Sequence, residues 1–288
     1  MKKIQKIVLF LIITYSFFSC QNVIQIKLDK GNPLITIDAF VNDMRLMQKI
    51  RLTYTDDYFS NKKNSAVLGA TVNLKDLTTG QTFNFSDNNN GDYVFNLSTT
   101  DTIARIDHDY DLTIIHNGIT YSSSSKLNRT AQVDSLDVTY KEANIFGGQE
   151  GYEFKFIGFD PPGEIDDYYW IKSYRNGVYF EFVGINLAIN GAYGSEADGF
   201  KFIPPIAENI TPPGAIFKKL DVCRVEIHSI NKATYNMLTQ VQAQTTNSGL
   251  FATTPENIKT NITSSSDKVK VVGWFCMSSV GFREKIAQ

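Results

Sequence analysis

Apolar and polar residues alternate in short stretches along most of the chain, with turn residues between them. The first stretch, residues 33–41 (PLITIDAFV), places Ile35, Ile37, Ala39 and Val41 on one face. Such alternation is typical of a half-buried β-strand. The pattern recurs at residues 49–55, 69–85, 88–97, 109–123, 133–140, 151–163, 168–182, 220–230 and 268–279. Many short strands at this spacing predict an all-β protein built from sandwiches rather than from a parallel sheet.

Asparagine–glycine pairs mark two of the predicted hairpins. Asn117-Gly118 interrupts residues 109–123, and Asn176-Gly177 interrupts residues 168–182. Such a pair suits a type I′ turn, because both central residues of that turn need a positive φ. One segment, about 231–244, has helical spacing instead. Asn231 is a suitable N-cap, and the stripe of Tyr235, Leu238 and Val241 predicts an amphipathic helix that packs on a sheet.

The pattern divides into two blocks near residue 128. We predict an N-terminal β-sandwich domain over residues 33–128 and a C-terminal β-rich domain over residues 129–288, both immunoglobulin-like or transthyretin-like. The second domain contains the helix and a long glycine-rich insertion at residues 184–205, where the alternation is lost.

The first 19 residues have a different pattern. Lys2, Lys3 and Lys6 precede the nearly continuous apolar run 7–18, and Ser19 precedes Cys20. A positive segment followed by a short apolar one is typical of a secretory signal, and this run is too short to span a bilayer comfortably. A small residue before a cysteine predicts a lipoprotein signal peptide over residues 1–19, with palmitate and diacylglyceryl chains on Cys20 and a lipidated tether over residues 20–32. An ordinary cleaved signal with a cysteine nearby is the alternative.

Composition narrows the classes of partner and chemistry. Removing residues 1–19 takes away three lysines and no acids, so the formal net charge moves from −2 to −5. A mildly acidic protein gives no electrostatic case for binding nucleic acid. The remaining cysteines, Cys223 and Cys276, lie in predicted strands. A disulfide is one interpretation, and two separate buried thiols are the favoured one.

An acidic turn and an aromatic hairpin follow each other at residues 160–182. The turn brings together four carboxylates that could hold calcium or form a solvated turn: Asp160, Glu164, Asp166 and Asp167. The hairpin presents aromatic side chains that could form a ligand or partner surface or pack within the sheet: Tyr168, Tyr169, Trp170, Tyr174 and Tyr179. The acids could also serve a glycoside hydrolase, although nothing in the sequence defines their separation.

Other catalytic patterns are weak. Ser123 and Lys126 have Ser-x-x-Lys spacing, but that chemistry needs the serine at a helix start, and here it leaves a hairpin. The three histidines, His108, His116 and His228, have no zinc-site spacing. We therefore predict no cofactor and no metal.

The order of several segments resembles the family known as domain of unknown function 4249, found in Bacteroidota. The signal followed by CQNVIQIKL is one of these segments. The others are PLITIDAFV, TDDYF (55–59), GATVNLKD (69–76), TYSS (120–123), VDSLDVTY, DPPGEIDDYYWIKSYRNG (160–177), HSINKATYNML and PENIKTNI (255–262). The resemblance implies an outer-membrane lipoprotein, often encoded near a TonB-dependent transporter, with no known catalytic residue. The first block also resembles the transthyretin-like sandwich that decorates such transporters, a likeness of fold alone.

These observations predict a non-enzymatic lipoprotein, held in the outer membrane by lipid on Cys20, that supports ligand capture or assembly of a TonB-dependent barrel. A carboxylate-dependent hydrolase of glycans or peptides is one alternative, and a structural or adhesive surface module is another. The ligand, the oligomeric state and the choice between the periplasmic and cell-surface faces stay open.

Overall fold

Alternating sequence patterns produce strands over 49% of the structure against 9% helix, and the all-β fold class is confirmed. The computed structural model describes residues 31–57, 60–97, 102–143, 148–163, 166–180, 184–190, 199–211, 216–246 and 256–288. The signal peptide and Cys20 lie outside these residues. Among the described residues no helix is long and apolar enough to cross a membrane.

Nine strands of the described residues form the first sheet: β1 (Ile35–Asn42), β2 (Gln48–Tyr54), β3 (Thr71–Asp76), β4 (Thr82–Asp87), β5 (Asp92–Phe95), β6 (Asp109–His116), β7 (Ile119–Lys126), β14 (Thr263–Ser264) and β15 (Val271–Ser278). Their spatial order is β14-β7-β6-β3-β4-β5-β2-β1-β15. The β6–β7 hairpin turns at Asn117 and Gly118, both with positive φ, as their sequence predicts. One face of the sheet encloses a core that includes Ile37, Leu52 and Tyr93.

A segment near the C-terminus closes this sheet. Asn261 Nδ2 donates to the carbonyl of Phe275 at 2.7 Å, and Asn261 Oδ1 accepts from the Phe275 N–H at 2.9 Å. On the other side, Ser123 Oγ of β7 donates to the carbonyl of Asn261. β7 and β15 also meet directly, since the Met277 N–H donates to Ser125 Oγ at 3.0 Å. The sheet is therefore rolled, with the amide of Asn261 substituting for a neighbouring strand.

β15 pairs with β1 in parallel, although the rest of the strands around them are antiparallel. Gly273 lies opposite Ile37 in this register, with φ of 113°. A Cβ atom at Gly273 would overlap the carbonyl oxygen of Ile37. Only glycine allows both this backbone conformation and this close approach.

The second sheet contains β10 (Tyr168–Arg175), β11 (Val178–Tyr179), β12 (Asn186–Ile189), β13 (Val222–Ile230) and β16 (Val280–Ile286). Its order is β11-β10-β13-β16, and β12 also pairs with β10. β8 (Gln132–Lys141) and β9 (Gly151–Phe159) form a separate pair. Side chains from this pair and from one face of the second sheet share a core that includes Phe156, Tyr169 and Val225.

The other face of the second sheet has two covers. One is helix α2 (Lys232–Thr245), where the sequence predicts it; Asn231 accepts from the Thr234 N–H at its start. The other is the outer face of β1 and β15. Tyr168, Leu238 and Trp274 meet in the resulting core, with Phe40 at its margin.

The predicted insertion is more regular than its glycine content suggests. It contributes strand β12 and begins helix α1 (Pro204–Glu208), while residues 191–198 lie outside the described residues. The predicted domain boundary at residues 128/129 stays a prediction. β14 and β15 come from the second predicted domain, yet they belong to the first sheet, and residues Pro33–Gln288 form one compact unit.

Gly273→Ala tests the β1–β15 pairing. We expect the free energy of unfolding to fall by at least about 3 kcal/mol, because the added Cβ overlaps the backbone of β1. Gly80→Ala is the matched control: Gly80 also has a positive φ, but its surroundings are open. It should lose only about 1 kcal/mol of backbone strain energy. Urea unfolding followed by circular dichroism measures both, and equal losses would contradict the proposed constraint.

Candidate functional site

The second sheet carries a group of charged and aromatic side chains on the face turned towards β1, here named the charged face. The pairings place Lys172 opposite Glu226 and Glu226 opposite Phe282. Side chains directly opposite each other in antiparallel strands share a face, and every second residue joins them. The charged face consists of Trp170, Lys172, Tyr174, Arg224, Glu226, His228, Phe282 and Glu284.

Glu226 is the centre of this face, and its carboxylate is buried. Oε1 accepts from Arg224 Nε at 2.7 Å. Oε2 accepts from the Tyr174 hydroxyl at 3.0 Å and lies 2.9 Å from His228 Nε2. Burial by itself would raise the pKa of Glu226, but these hydrogen bonds and the nearby positive charge outweigh it and lower the pKa to about 2. Glu226 is therefore an ionised carboxylate with both oxygens occupied.

His228 is neutral in this network. Burial is the main cause that lowers its pKa to about 4, and the positive charge of Lys172 acts in the same direction, against the attraction of Glu226. A neutral imidazole with its proton on Nε2 can donate to Glu226. Burial also raises the pKa of the Tyr174 hydroxyl, and the charge of Glu226 adds to that effect. Both groups consequently act as neutral donors to one carboxylate.

Arg224 links the network to the first sheet. Its Nη1 donates to Glu284 at 3.0 Å, and its guanidinium lies 4.1 Å from the centre of the Phe282 ring. Its Nη2 lies 3.3 Å from the sulfur of Met44, in the turn between β1 and β2. Phe40 of β1 contacts Trp170 edge to face, with 5.5 Å between ring centres. The charged face is thus partly covered by β1.

Lys172 has a different environment from Arg224. Its Nζ lies 3.8 Å from the centre of the Trp170 ring, a cation–π contact. No carboxylate of the described residues lies within 4.0 Å of it. Burial lowers the pKa of Lys172 to about 8 despite the attraction of Glu226 and Asp38. Trp170 Nε1 is buried, and it is the one such side-chain polar atom in the described part of the chain without a hydrogen-bond partner.

Asp38 of β1 is the other charge beside this face that has no ion pair within 4.0 Å in the described part of the chain. Its carboxylate is exposed, yet the protein around it displaces enough water to raise its pKa, against the attraction of Lys172, Lys49 and Arg51. Arg51 is held by Asp92 at 2.7 Å, and Lys49 lies 3.7 Å from the same carboxylate. Asp38 and Lys172 interact electrostatically across more than 4.0 Å.

The acidic turn predicted as a calcium candidate is organised by an arginine. Arg129 donates from Nε and Nη2 to Asp167 at 2.9 and 2.6 Å, and its other bonds reach the carbonyls of Pro161 and Pro162. Asp160 is buried and accepts from the Tyr169 hydroxyl. Asp167 and Asp160 are therefore held in place by hydrogen bonds from Arg129 and Tyr169.

Asp166 and Glu164 complete the predicted group. Asp166 is exposed, and Glu164 lies outside the described residues. Within the described ranges, no three His, Cys, Asp or Glu side chains gather as a metal ion would require.

The predicted aromatic surface is divided between two faces of β10. Tyr169 is fully buried against Phe202 and is not part of a surface. Tyr168 is buried against Tyr235 of α2. The other three members are partly exposed: Trp170 and Tyr174 lie on the charged face, and Tyr179 lies beside Tyr174, with 5.5 Å between the ring centres.

Cys223 and Cys276 are both buried free thiols. Each lies in a different core, Cys223 between the second sheet and the β8–β9 pair, and Cys276 under α2. The favoured interpretation of two separate buried cysteines is confirmed. Burial raises the pKa of the Cys223 thiol to about 12, so it is not a nucleophile near neutral pH.

The sequence interpretation missed Asp38, Lys172, Arg224, Glu226 and His228. One signal was available in residues 222–230, where Arg224, Glu226 and His228 alternate with apolar residues. Such alternation usually indicates a solvent-facing side. Only the contact with β1 converts that side into a partly buried network.

Comparison with known proteins adds a family and no activity. The family model described as Domain of unknown function (DUF4249) matches residues 21–284. It confirms the resemblance found in the order of the motifs. A search of curated proteins finds no match.

The neutral state of His228 predicts a loss of stability in mild acid. The unfolded chain takes up a proton near pH 6.5, whereas the native imidazole resists protonation until about pH 4. The free energy of unfolding should therefore fall by about 2 kcal/mol between pH 6.5 and 4.5. Glu226, with its pKa of about 2, adds a further loss below pH 4.5.

The measurement is urea unfolding at a series of pH values for the wild type, His228→Gln and His116→Gln. His228→Gln should lose this slope between pH 6.5 and 4.5 whatever its absolute stability. His116→Gln, at the β6–β7 hairpin, should keep it. An unchanged slope in His228→Gln would show that the native imidazole takes up a proton as readily as the unfolded one, and would contradict the prediction.

Proposed function

The chain belongs to the family described as Domain of unknown function (DUF4249), and from that premise we propose that it is a lipid-anchored, non-enzymatic lipoprotein of the outer membrane. In this proposal it captures a small ligand, or supports assembly, for a TonB-dependent transporter. The carrying observation is a partly covered charged face with two charges, the exposed Asp38 and the partly exposed Lys172, that have no ion pair within 4.0 Å among the described residues. Beside them, Arg224 is compensated by Glu226 and Glu284.

The anchor is proposed from the N-terminal residues. A positive segment, an apolar run and Ser19 lead to Cys20, which becomes the first mature residue. Lipid chains contribute about 0.8 kcal/mol per buried methylene, so several chains on one cysteine hold a protein firmly at a membrane. The tether, residues 20–32, ends where the compact unit Pro33–Gln288 begins.

A binding role is favoured over hydrolysis by how the carboxylates are used. Asp160 and Asp167 accept from Tyr169 and Arg129, and Glu226 accepts three hydrogen bonds. A general acid or base must exchange a proton with its substrate, which a carboxylate saturated by protein donors does poorly. Recognition, by contrast, needs polar groups held in place at the edge of an aromatic surface.

Metabolic labelling with an alkyne analogue of palmitate tests the anchor. The wild type should incorporate the label and fractionate with outer membranes, because lipid is attached at Cys20. Cys20→Ala should lose the label and leave the membrane fraction. Cys223→Ala, which removes a buried thiol, is the matched control and should retain it. Equal labelling of all three proteins would place the lipid elsewhere and overturn the proposed anchor.

Co-purification tests the partner. The tagged lipoprotein, extracted gently from outer membranes, should bring down a TonB-dependent barrel in stoichiometric amount. The Cys20→Ala protein, expressed to the same level, should recover less of it because the anchor restricts both partners to one surface. Recovery of the wild type alone, under conditions that keep other transporter complexes intact, would contradict the transport role.

A further inference from the structure

We propose that Asp38 and Lys172 form a binding site for a small zwitterion, of which a free α-amino acid is the simplest class. Lys172 holds the carboxylate of the ligand, and Asp38 holds its ammonium group. The site deepens the proposed capture role by naming the ligand class. Its chemistry is tested by binding alone, without a transporter.

Lys172 can accept a ligand carboxylate as its partner because Glu226, its neighbour on β13, is already fully hydrogen-bonded. Both oxygens of Glu226 already accept hydrogen bonds, from Arg224, Tyr174 and His228. The ammonium group rests instead on the Trp170 ring. A partly buried ammonium without a close carboxylate is costly, and an incoming anion would offset that cost. Although burial lowers its pKa to about 8, the amine is still mostly charged at pH 7.

Asp38 provides the opposite charge from the facing strand. Among the described residues it makes no ion pair within 4.0 Å, since Asp92 holds both nearby cations of β2, Lys49 and Arg51. Phe40 of β1 packs against Trp170, whose ring also contacts Lys172, and Asp38 precedes Phe40 by two residues on the same face of β1. Among the described residues no ion pair within 4.0 Å joins Asp38 to Lys172. A molecule that carries both charges can therefore bridge them, whereas a simple anion or cation would satisfy only one.

The surroundings favour a ligand with an apolar side chain. Trp170 and Phe40 pack edge to face beside the two charges. The Trp170 ring already contacts the Lys172 ammonium group, so an apolar group of the ligand beside that ring would lie next to the charge that holds its carboxylate. The other titratable groups facing this region do not compete for the ligand. Arg224 is paired with Glu226 and Glu284, and His228 is neutral.

Isothermal titration calorimetry on the full-length lipoprotein in detergent, at pH 7, tests the site. The probe is L-phenylalanine. Two analogues carry the same ring with one charge each: 3-phenylpropanoate lacks the ammonium group, and 2-phenylethylamine lacks the carboxylate. Phenylalanine should bind at least tenfold more tightly than either analogue.

Variants assign each charge. Lys172→Gln should weaken the binding of phenylalanine at least tenfold and abolish the binding of 3-phenylpropanoate. Lys172→Arg should still bind both compounds. Asp38→Asn should weaken phenylalanine at least tenfold and abolish the response to 2-phenylethylamine. Lys49→Gln, which removes a half-exposed lysine beside Asp38, is the matched control and should bind as the wild type does.

Three results would overturn the proposal. They are no heat with phenylalanine, equal affinity for phenylalanine and a single-charge analogue, and binding that Lys172→Gln and Asp38→Asn leave intact. Circular dichroism of each variant identifies a folding defect, in which case Lys172→Arg and the analogues still decide. Recovery of a transporter with no zwitterion binding would reject this site alone, while binding without a transporter would reject only the transport role.

Discussion

The parallel pairing of β1 with β15 is the constraint on which the rest of the structure depends. It brings the last long strand of the chain beside the first, and Gly273 permits it because any side chain there would overlap the backbone of Ile37. β15 then continues through Ser279 into β16 of the second sheet. Asp43, just after β1, accepts from the Ser279 hydroxyl and the Val280 N–H. One crossing of the chain therefore joins both sheets.

The charged face is a consequence of that crossing. Without β1 over it, the alternating Arg224, Glu226 and His228 would form an ordinary solvated side of a sheet. Partial coverage raises the cost of every unpaired charge, and the network compensates most of them. Glu226 receives three donors, and His228 stays neutral. Lys172 is partly exposed and Asp38 is exposed, and among the described residues neither has an ion pair within 4.0 Å. In the proposed site an outside molecule supplies the missing partners.

The acidic turn and aromatic hairpin illustrate how residues with chemical potential can serve the fold. Asp167 and the proline carbonyls hold Arg129, while Tyr169 and Asp160 form a buried hydrogen bond. Side chains on β10 alternate between two environments, so a run of aromatic residues cannot form one surface. Trp170 and Tyr174 reach the charged face only because they occupy the even positions, opposite His228 and Arg224.

Local patterns determined the strands, the two asparagine–glycine turns, the helix with its Asn231 cap and the burial of both cysteines, since each depends on neighbouring residues. β14 and the rolling of the first sheet depend on partners more than a hundred residues away, and β16 pairs with a strand more than fifty residues away. No local pattern encodes such partners. The candidate site belongs to this second group. Residues 38, 172 and 226 come from three separate strands. Their pKa values depend on how far β1 covers the charged face of the second sheet. The tertiary structure alone decided which charges are compensated and which two are not.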